Sequence, residues 1–373
     1  MSRISKRKKK TKNMIKSVYI HIPFCKTICS YCDFCKLYYN EKLVNKYLIA
    51  LEQEIKENYK NEIINTIYIG GGTPSSLSLE QLKKLFQIIK IIKTNIKEFT
   101  IECNIETIEE EKLQLFKQNG VNRISIGIQT LNNKYIKLLN RNHSKQLVDE
   151  KIKLVKKYFD NINIDLIYAI PNETLEELNE DLDYIINLDI NHISTYSLII
   201  EEHTKLYIDK VKNIDENLDY EMYKNIIKKL TNNNYIHYET SNFAKPGYES
   251  KHNLTYWNNQ EYYGFGLGAS GYINNIRYTN TRSINKYLEN NYIYEKHKLS
   301  KKETIENEFI LGLRKIQGIN KEQFQKKYEI DICTLESVKK LLKEKKLIDE
   351  GKFIYINKKH LYTANDILIE FIN

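Results

Sequence analysis

Six short β-branched runs alternating with amphipathic stretches constrain this 373-residue chain more than any other feature. The strand-like runs are Ser17–Ile22, Thr66–Ile69, Glu98–Cys103, Arg123–Gly127, Ile162–Ile167 and His192–Ser197. Helical periodicity covers Lys42–Tyr59, Leu79–Ile92, Thr107–Gln118, Ser144–Tyr158 and Leu175–Leu188. In Leu79–Ile92 the apolar positions Leu82, Leu85, Phe86, Ile88, Ile89 and Ile92 recur at helical spacing. Ser78 before that stretch and Gln81 three residues later read as a capping box. Alternation of this kind predicts a parallel sheet, because parallel neighbours need crossover helices. Length alone leaves both an open sheet and a partial barrel open. In either case ligands collect at the C-terminal strand ends. Cys25–Cys32, Gly70–Gly72, Glu102, Gln129 and Asp165 all lie at or just beyond those ends, so one mouth is expected to gather them.

After Ser197 the pattern changes to longer helices and aromatic loops, including the Gly/aromatic stretch Tyr262–Tyr272. From about Lys301 a small unit of its own is expected. Helices at Glu303–Lys315, Lys321–Tyr328 and Leu335–Lys343 precede strands at Lys346–Asp349 and Phe353–Asn357, joined around Gly351, and a last helix at Thr363–Phe371. The division is therefore 1–16 basic tail, 17–200 core, 201–300 an extension completing the barrel, and 301–373 a helical, winged-helix-like domain.

Hydrophobic residues make up 41% of the chain, enough for a sizeable core, so disorder is not the expected state. No apolar run approaches a membrane span, and Val18–Phe24 is broken by His21 and Pro23, unlike a secretory leader. These readings point to a soluble cytoplasmic protein. The net charge of +10 would suggest nucleic acid, but Arg3, Lys6, Arg7, Lys8, Lys9, Lys10 and Lys12 carry seven of those charges, leaving +3 for the rest. The tail offers at most weak contact with anionic lipid or RNA.

Of the six cysteines, Cys25, Cys29, Cys32 and Cys35 fall within eleven residues, whereas Cys103 and Cys333 stand alone. Clustered thiols in a cytosolic chain argue for metal before disulfide. Two metals compete. The spacing Cys25-x3-Cys29-x2-Cys32 suits three irons of a cubane cluster, with the fourth iron left open. A structural zinc site would take Cys35 as a fourth ligand. Cys103 and Cys333 read as small buried apolar residues, and His21 as a hydrogen-bonding support of the cysteine loop.

The segment Tyr19-Ile-His-Ile-Pro-Phe-Cys25 through Cys29-Ser-Tyr-Cys32-Asp-Phe resembles the opening of the coproporphyrinogen III oxidase-like radical S-adenosylmethionine (SAM) family. The resemblance continues through Gly70–Ser75, Glu102-Cys-Asn104, Asn122–Gln129, Leu139–His143 and Asp165–Tyr168. It then runs on through His237–Phe243, His252-Asn-Leu-Thr-Tyr-Trp257, Tyr263–Gly268 and Leu311–Arg314. It implies an α/β fold, a partial (β/α)6 radical SAM barrel with a C-terminal helical, winged-helix-like domain. Cys25, Cys29 and Cys32 would hold a [4Fe–4S] cluster, with Tyr19 and Tyr31 beside it. Gly71, Gly72 and Thr73 would meet the methionyl amine of SAM. Glu102, Gln129 and Asp165 would contact its amine or ribose, and Arg141 its carboxylate.

Within the family, a decarboxylating oxidase and a heme-chaperone branch compete. Three features resemble the chaperone branch. About sixteen residues precede the first strand, where the oxidase has an extended segment. Cys35 lies three positions after Cys32, where the oxidase's extra cysteine lies two after. The third is the motif His252–Trp257, in which His252 is expected as an axial ligand of heme with Tyr256 and Trp257 against the macrocycle, or else as a satisfied structural residue. The implied partners are heme or porphyrin, heme-accepting proteins and an electron donor such as flavodoxin or ferredoxin. No specific nucleic acid is expected, since the C-terminal unit has no basic recognition helix free of acids, and a homodimer and catalytic turnover both stay open. The chain departs from the family at Ala169, Pro171-Asn172 and Glu173, where Gly, Pro-Gly and Gln are usual, and at Asn104-Ile105, where Asn-Pro is usual.

Overall fold

The computed structural model describes residues 15–372. The basic stretch from Arg3 to Lys12 lies outside them. The six strands expected from the alternation form in order: β1 (Ser17–Ile22), β2 (Ile64–Gly71), β3 (Thr94–Asn104), β4 (Arg123–Gln129), β5 (Ile162–Tyr168) and β6 (His192–Ser197). Each pairs in parallel with the next. Three further strands extend the sheet to nine: β7 (Ile236–Glu239), β8 (Asn242–Ala244) and β9 (Tyr263–Phe265). The order across it is β9-β1-β2-β3-β4-β5-β6-β8-β7.

That order decides between the two architectures. A strand sequence that never reverses sends every right-handed crossover to the same face of the sheet. The crossovers are α1 (Glu41–Asn58), α2 (Leu79–Ile89), α3 (Glu110–Gln118), α4 (Lys145–Lys156) and α5 (Leu175–Asn187). Their buried residues join one apolar core with the outward-facing Val18, Ile20, Ile22, Ile67, Ile69, Ile101, Ile124, Ile126, Ile164 and Ile193. The helix starts follow ordinary capping chemistry. Ser78 and Gln81 form the expected box, Thr174 and Glu177 form another, and Asn40 and Ser144 cap α1 and α4.

The other face curls into a lumen. Helix α6 (Glu216–Asn232) packs outside, and the short helix α7 (Lys251–Trp257) closes the end opposite the mouth. Residues at the start of α7 bond to both halves of the sheet. Ser250 N donates to Tyr238 Oη on β7 at 3.3 Å, and His252 Nδ1 meets Thr66 Oγ1 on β2 at 2.9 Å. The N-terminus of α7 is held by Glu98 of β3, whose carboxylate accepts from Ser250 Oγ (3.3 Å), Lys251 N (2.8 Å) and His252 N (2.9 Å). A carboxylate suits the free N–H groups and dipole of a helix start. The molecule is thus a partial (β/α)6 barrel with its floor sealed.

Two features went beyond the sequence expectation. Ser270–Ile273, Ile276–Asn280 and Ile293–Lys298 make a separate antiparallel sheet within the 201–300 stretch. In the C-terminal part a third short strand, Ile319–Asn320, adds to the Leu347–Glu350 and Phe353–Ile356 hairpin. There a second core forms around Phe309, Leu313, Phe324, Val338, Leu341, Ile354 and Phe371. Among the described residues no helix is long and apolar enough to cross a membrane.

Candidate cofactor-binding site

The loops after the strands enclose a cavity of about 380 Å³ at the mouth of the barrel. After β1 the cysteine loop leaves at Pro23 and is pinned at both ends, since Leu37 N donates to Pro23 O at 2.6 Å and Tyr39 N to Cys25 O at 2.8 Å. Ser30 in mid-loop accepts from Leu206 N and donates through its own N–H to Leu139 O, each at 3.1 Å. Cys25, Cys29 and Cys32 line the cavity as free thiols. Burial pushes the Cys25 thiol up to about 11, against a hydrogen bond from Thr73 Oγ1 at 3.5 Å. Burial also raises Cys32.

Cys35 does not join them. Its side chain lies against Gly268, where an added Cβ would come within 2.6 Å of it, and its carbonyl is bonded to His21 Nε2 at 2.7 Å. His21 is thus the loop support the sequence suggested. Among the described residues no three His, Cys, Asp or Glu side chains stand together as ligands of a single ion. A cubane asks for something else, one thiolate on each of three irons. Three thiols on one cavity with the fourth turned aside fit that demand.

The glycine run faces the cysteine loop. Gly71 has φ +116°, and a Cβ there would sit 2.4 Å from the His21 ring; one on Gly72 would meet the Pro23 backbone at 2.8 Å, and one on Gly70 the Glu102 carboxyl at 2.8 Å. The space these glycines free is filled by the protein's own His21, Pro23 and Glu102. Gly71, Gly72 and Thr73 still line the cavity with their backbone.

At the base of the cavity Glu102 and Asp165 approach one another with Ser125 between their strands. Glu102 accepts from Tyr68 Oη at 2.8 Å and Gly71 N at 2.9 Å, and Asp165 from Asn163 Nδ2 at 2.8 Å. Burial pushes Glu102 up to about 7, with the Asp165 charge adding to the shift, and burial raises Asp165 too. Perturbed carboxyls in a cleft mark a place where a cation or diol would be welcome. Gln129 lines the same cavity at a strand bulge, with φ +77°. A non-glycine residue held in that region is strain of the kind stored at functional sites.

Arg141 is buried beside the cysteines. Its Nη1 donates to Asn104 Oδ1 at 2.9 Å and approaches Cys29 Sγ at 3.7 Å, while Nη2 donates to Gly127 O at 2.7 Å and Glu106 Oε2 at 3.3 Å. Only Nε is left without a partner. The guanidinium is thus held beside Cys29 by the protein's own acceptors. Tyr31 lines the cavity and packs on an apolar cluster with Leu139, Ile167 and Leu206.

Two expected site residues lie elsewhere. Tyr19 stands behind the cavity wall, bonded to His21 Nδ1 at 2.9 Å with its ring 6.2 Å from Tyr68. His252 lies on the floor helix, 1% exposed, with Nδ1 at Thr66 Oγ1 and Nε2 at Tyr256 Oη, 2.7 Å away. Burial lowers it to about 3. Both nitrogens are taken, so it is the satisfied structural residue and not a free imidazole. The departures from the family pattern are absorbed by conformation: Ala169 (φ +57°) and Asn172 (φ +65°) take the left-handed backbone that glycine would favour. Glu173 is buried and accepts from Ile170 N at 3.0 Å.

Ser125, Asn104, Asn163 and Ser194 were missed from the sequence. Asn163 Nδ2 donates to Ser125 Oγ at 2.7 Å, and its Oδ1 accepts from Ser194 Oγ at 3.1 Å. The signal was present, because polar and apolar residues alternate along 17–22, 98–104 and 162–166, and the polar set faces the lumen.

The Radical SAM superfamily model matches residues 19–185. The heme chaperone HemW of Lactococcus lactis is 40% identical, with 95% of this chain and 97% of that protein aligned. The heme chaperone HemW of Bacillus subtilis is 39% identical, over 96% of this chain and 99% of that protein. Among solved structures, coproporphyrinogen III oxidase (HemN) from Escherichia coli, a radical SAM enzyme, is similar with a TM-score of 0.85 at 21% identity, over 96% of this chain and 90% of that one.

Proposed function

We propose a heme-chaperone function for this chain, which belongs to the radical SAM superfamily and, within it, to the family of the HemW heme chaperones. The superfamily implies a [4Fe–4S] cluster and SAM. The residues proposed to hold the cluster are Cys25, Cys29 and Cys32, with Arg141 donating toward Cys29. The observation that supports this assignment best is that these three thiols line one cavity while Cys35, the fourth ligand a zinc site would need, does not. A reduced cluster of this kind supplies, when SAM is bound, an electron that cleaves SAM to methionine and a 5′-deoxyadenosyl radical. The protein's own contribution is to hold the ligand: the carboxyls of Glu102 and Asp165 for ammonium and ribose hydroxyls, and the backbone of Gly71–Thr73 alongside.

Heme and heme-accepting proteins are the proposed cargo and partners, and flavodoxin or ferredoxin the class of electron donor. The HemW relatives carry the name heme chaperone over nearly their whole length, which supports this reading. The likeness to the oxidase, at 21% identity, is one of fold. Anaerobic reconstitution tests the proposal. Four irons and four sulfides per chain, a changed visible spectrum on adding heme, and passage of that heme to an apo acceptor are expected. One zinc per chain with no heme uptake would overturn it, and loss of carbon dioxide from coproporphyrinogen III would return the oxidase.

A further inference from the structure

Beneath the cavity lies a charge that none of the assignments above uses. Arg123, at the first position of β4, is 1% exposed and among the largest fully buried side chains. Its Nε has no hydrogen-bond partner among the described residues. Thr100, its Cα partner across the β3–β4 pair, also has a buried hydroxyl without a partner. Inward-facing positions stack in layers here. Thr100 and Arg123 are opposite each other; Glu102 and Ser125 come one layer nearer the mouth, and Gly127 with Asp165 one layer beyond that. Arg123 therefore sits under both carboxyls at the base of the cavity. A buried guanidinium that is short of partners is costly unless opposite charge stands nearby. The lumen must return that cost through opposite charge. Glu98, the inward carboxylate nearer the floor, is already engaged by the start of α7. Glu102 and Asp165 are the carboxyls stacked directly above it, and its charge acts on both.

We propose that Arg123 is a positioning residue which acts through Glu102 and Asp165, holding the pair anionic from below so that they grip the cationic and hydroxyl groups of SAM from above. The inference rests on the proposed role of those two carboxyls. The histidines and tyrosines facing this lumen stay out of the neutral range. Burial lowers His192, His21 (about 4) and His252 (about 3), and it raises Tyr19, Tyr68, Tyr196, Tyr238 and Tyr256. Burial also pushes Glu239, on β7 beside Tyr238, up to about 7. A pH dependence that persists in Glu102→Gln therefore belongs to Glu239, and one that disappears belongs to Glu102.

The test is equilibrium binding of SAM to the anaerobically reconstituted protein from pH 6 to 9, for the wild type, Arg123→Gln, Arg123→Lys and Glu102→Gln. The amine of SAM titrates alike in every sample, so differences between variants report the protein. Wild-type affinity is expected to fall as pH drops through about 7, where Glu102 gains its proton. In Arg123→Gln the same fall is expected to begin about one pH unit higher, a ~5-fold weaker affinity at pH 7 that recovers toward pH 9. Arg123→Lys keeps the charge and should restore the wild-type profile to within a few tenths of a unit. A purely structural role for Arg123 would shift affinity at all pH values together. Wild-type binding by Arg123→Gln across the range, with binding lost in Glu102→Gln, overturns the inference and spares the site. Wild-type binding by Glu102→Gln overturns the site assignment itself. Should Arg123→Gln not fold, Arg123→Lys decides: a displaced profile despite the retained charge would show that shape and not charge is what counts.

Discussion

The side chains facing inward from the central strands include Ser17, Tyr19, His21, Glu102, Arg123, Asn163 and Asp165, whereas the C-terminal unit turns Phe309, Phe324, Val338, Leu341 and Ile354 to its centre. The barrel can tolerate a polar interior because its apolar residues lie on the other face of the same strands, packed under α1 to α5. Its stability is held outside and its chemistry inside. The C-terminal unit has no such division: Phe309 stacks on Phe371 at 4.1 Å, and this packing is what holds the unit together. The same kind of substitution should therefore have different consequences in the two places.

The largest effect is expected at the cysteines. Cys25→Ser should abolish the brown absorption and most of the bound iron after reconstitution, while Cys35→Ser should leave both, as read by iron analysis and visible spectra. Next comes the C-terminal core, where Phe309→Ala should cost about 3 to 5 kcal/mol in denaturant unfolding. Ser125→Ala in the lumen should cost no more than about 1 kcal/mol, since Asn163 Nδ2 keeps its bond to Asp165. If the two costs came out equal, the division between an outer scaffold and an inner site would be wrong. A smaller effect separates charge from packing. Glu102 titrates higher in the folded chain (about 7) than an ordinary glutamate does, so the folded form binds the extra proton and stability falls as pH rises from the ordinary glutamate range through about 7. Without ligand, Glu102→Gln should thus melt higher than the wild type at pH 8 and not at pH 4, in a thermal scan at both values. The smallest is Ala169→Gly, expected to gain about 0.5 to 1 kcal/mol by releasing a left-handed alanine.

Much of this was readable in the chain. β1 and β6 begin and end where their β-branched runs do, and Ser78 with Gln81 caps α2 as its spacing implied. Local periodicity and capping decide such features, so a short window contains them. His252 shows the opposite. Its neighbours Tyr256 and Trp257 suggested a surface for a macrocycle, but the imidazole is claimed by Thr66, 186 residues earlier. Likewise Asn104 and Gly127, which hold Arg141 beside Cys29, are brought to it only by the fold. Long-range partners of this kind leave no trace in local spacing. The lumen is a middle case: the alternation Ser-Val-Tyr-Ile-His-Ile in β1 displays an inverted barrel to anyone reading period two, and attention to the apolar half alone passes over it.

Glu98 ties the entry of α7 to β3 while Tyr238, on the far edge of the sheet, bonds to the same turn. Although its edge strands leave a seam, the cylinder is laced shut at the bottom by a single helical turn. Amides of Ser250, Lys251 and His252 should accordingly exchange with solvent as slowly as those of the central strands, and the seam should part only when the whole barrel does. Whatever enters or leaves the lumen has the cysteine-lined end as its door.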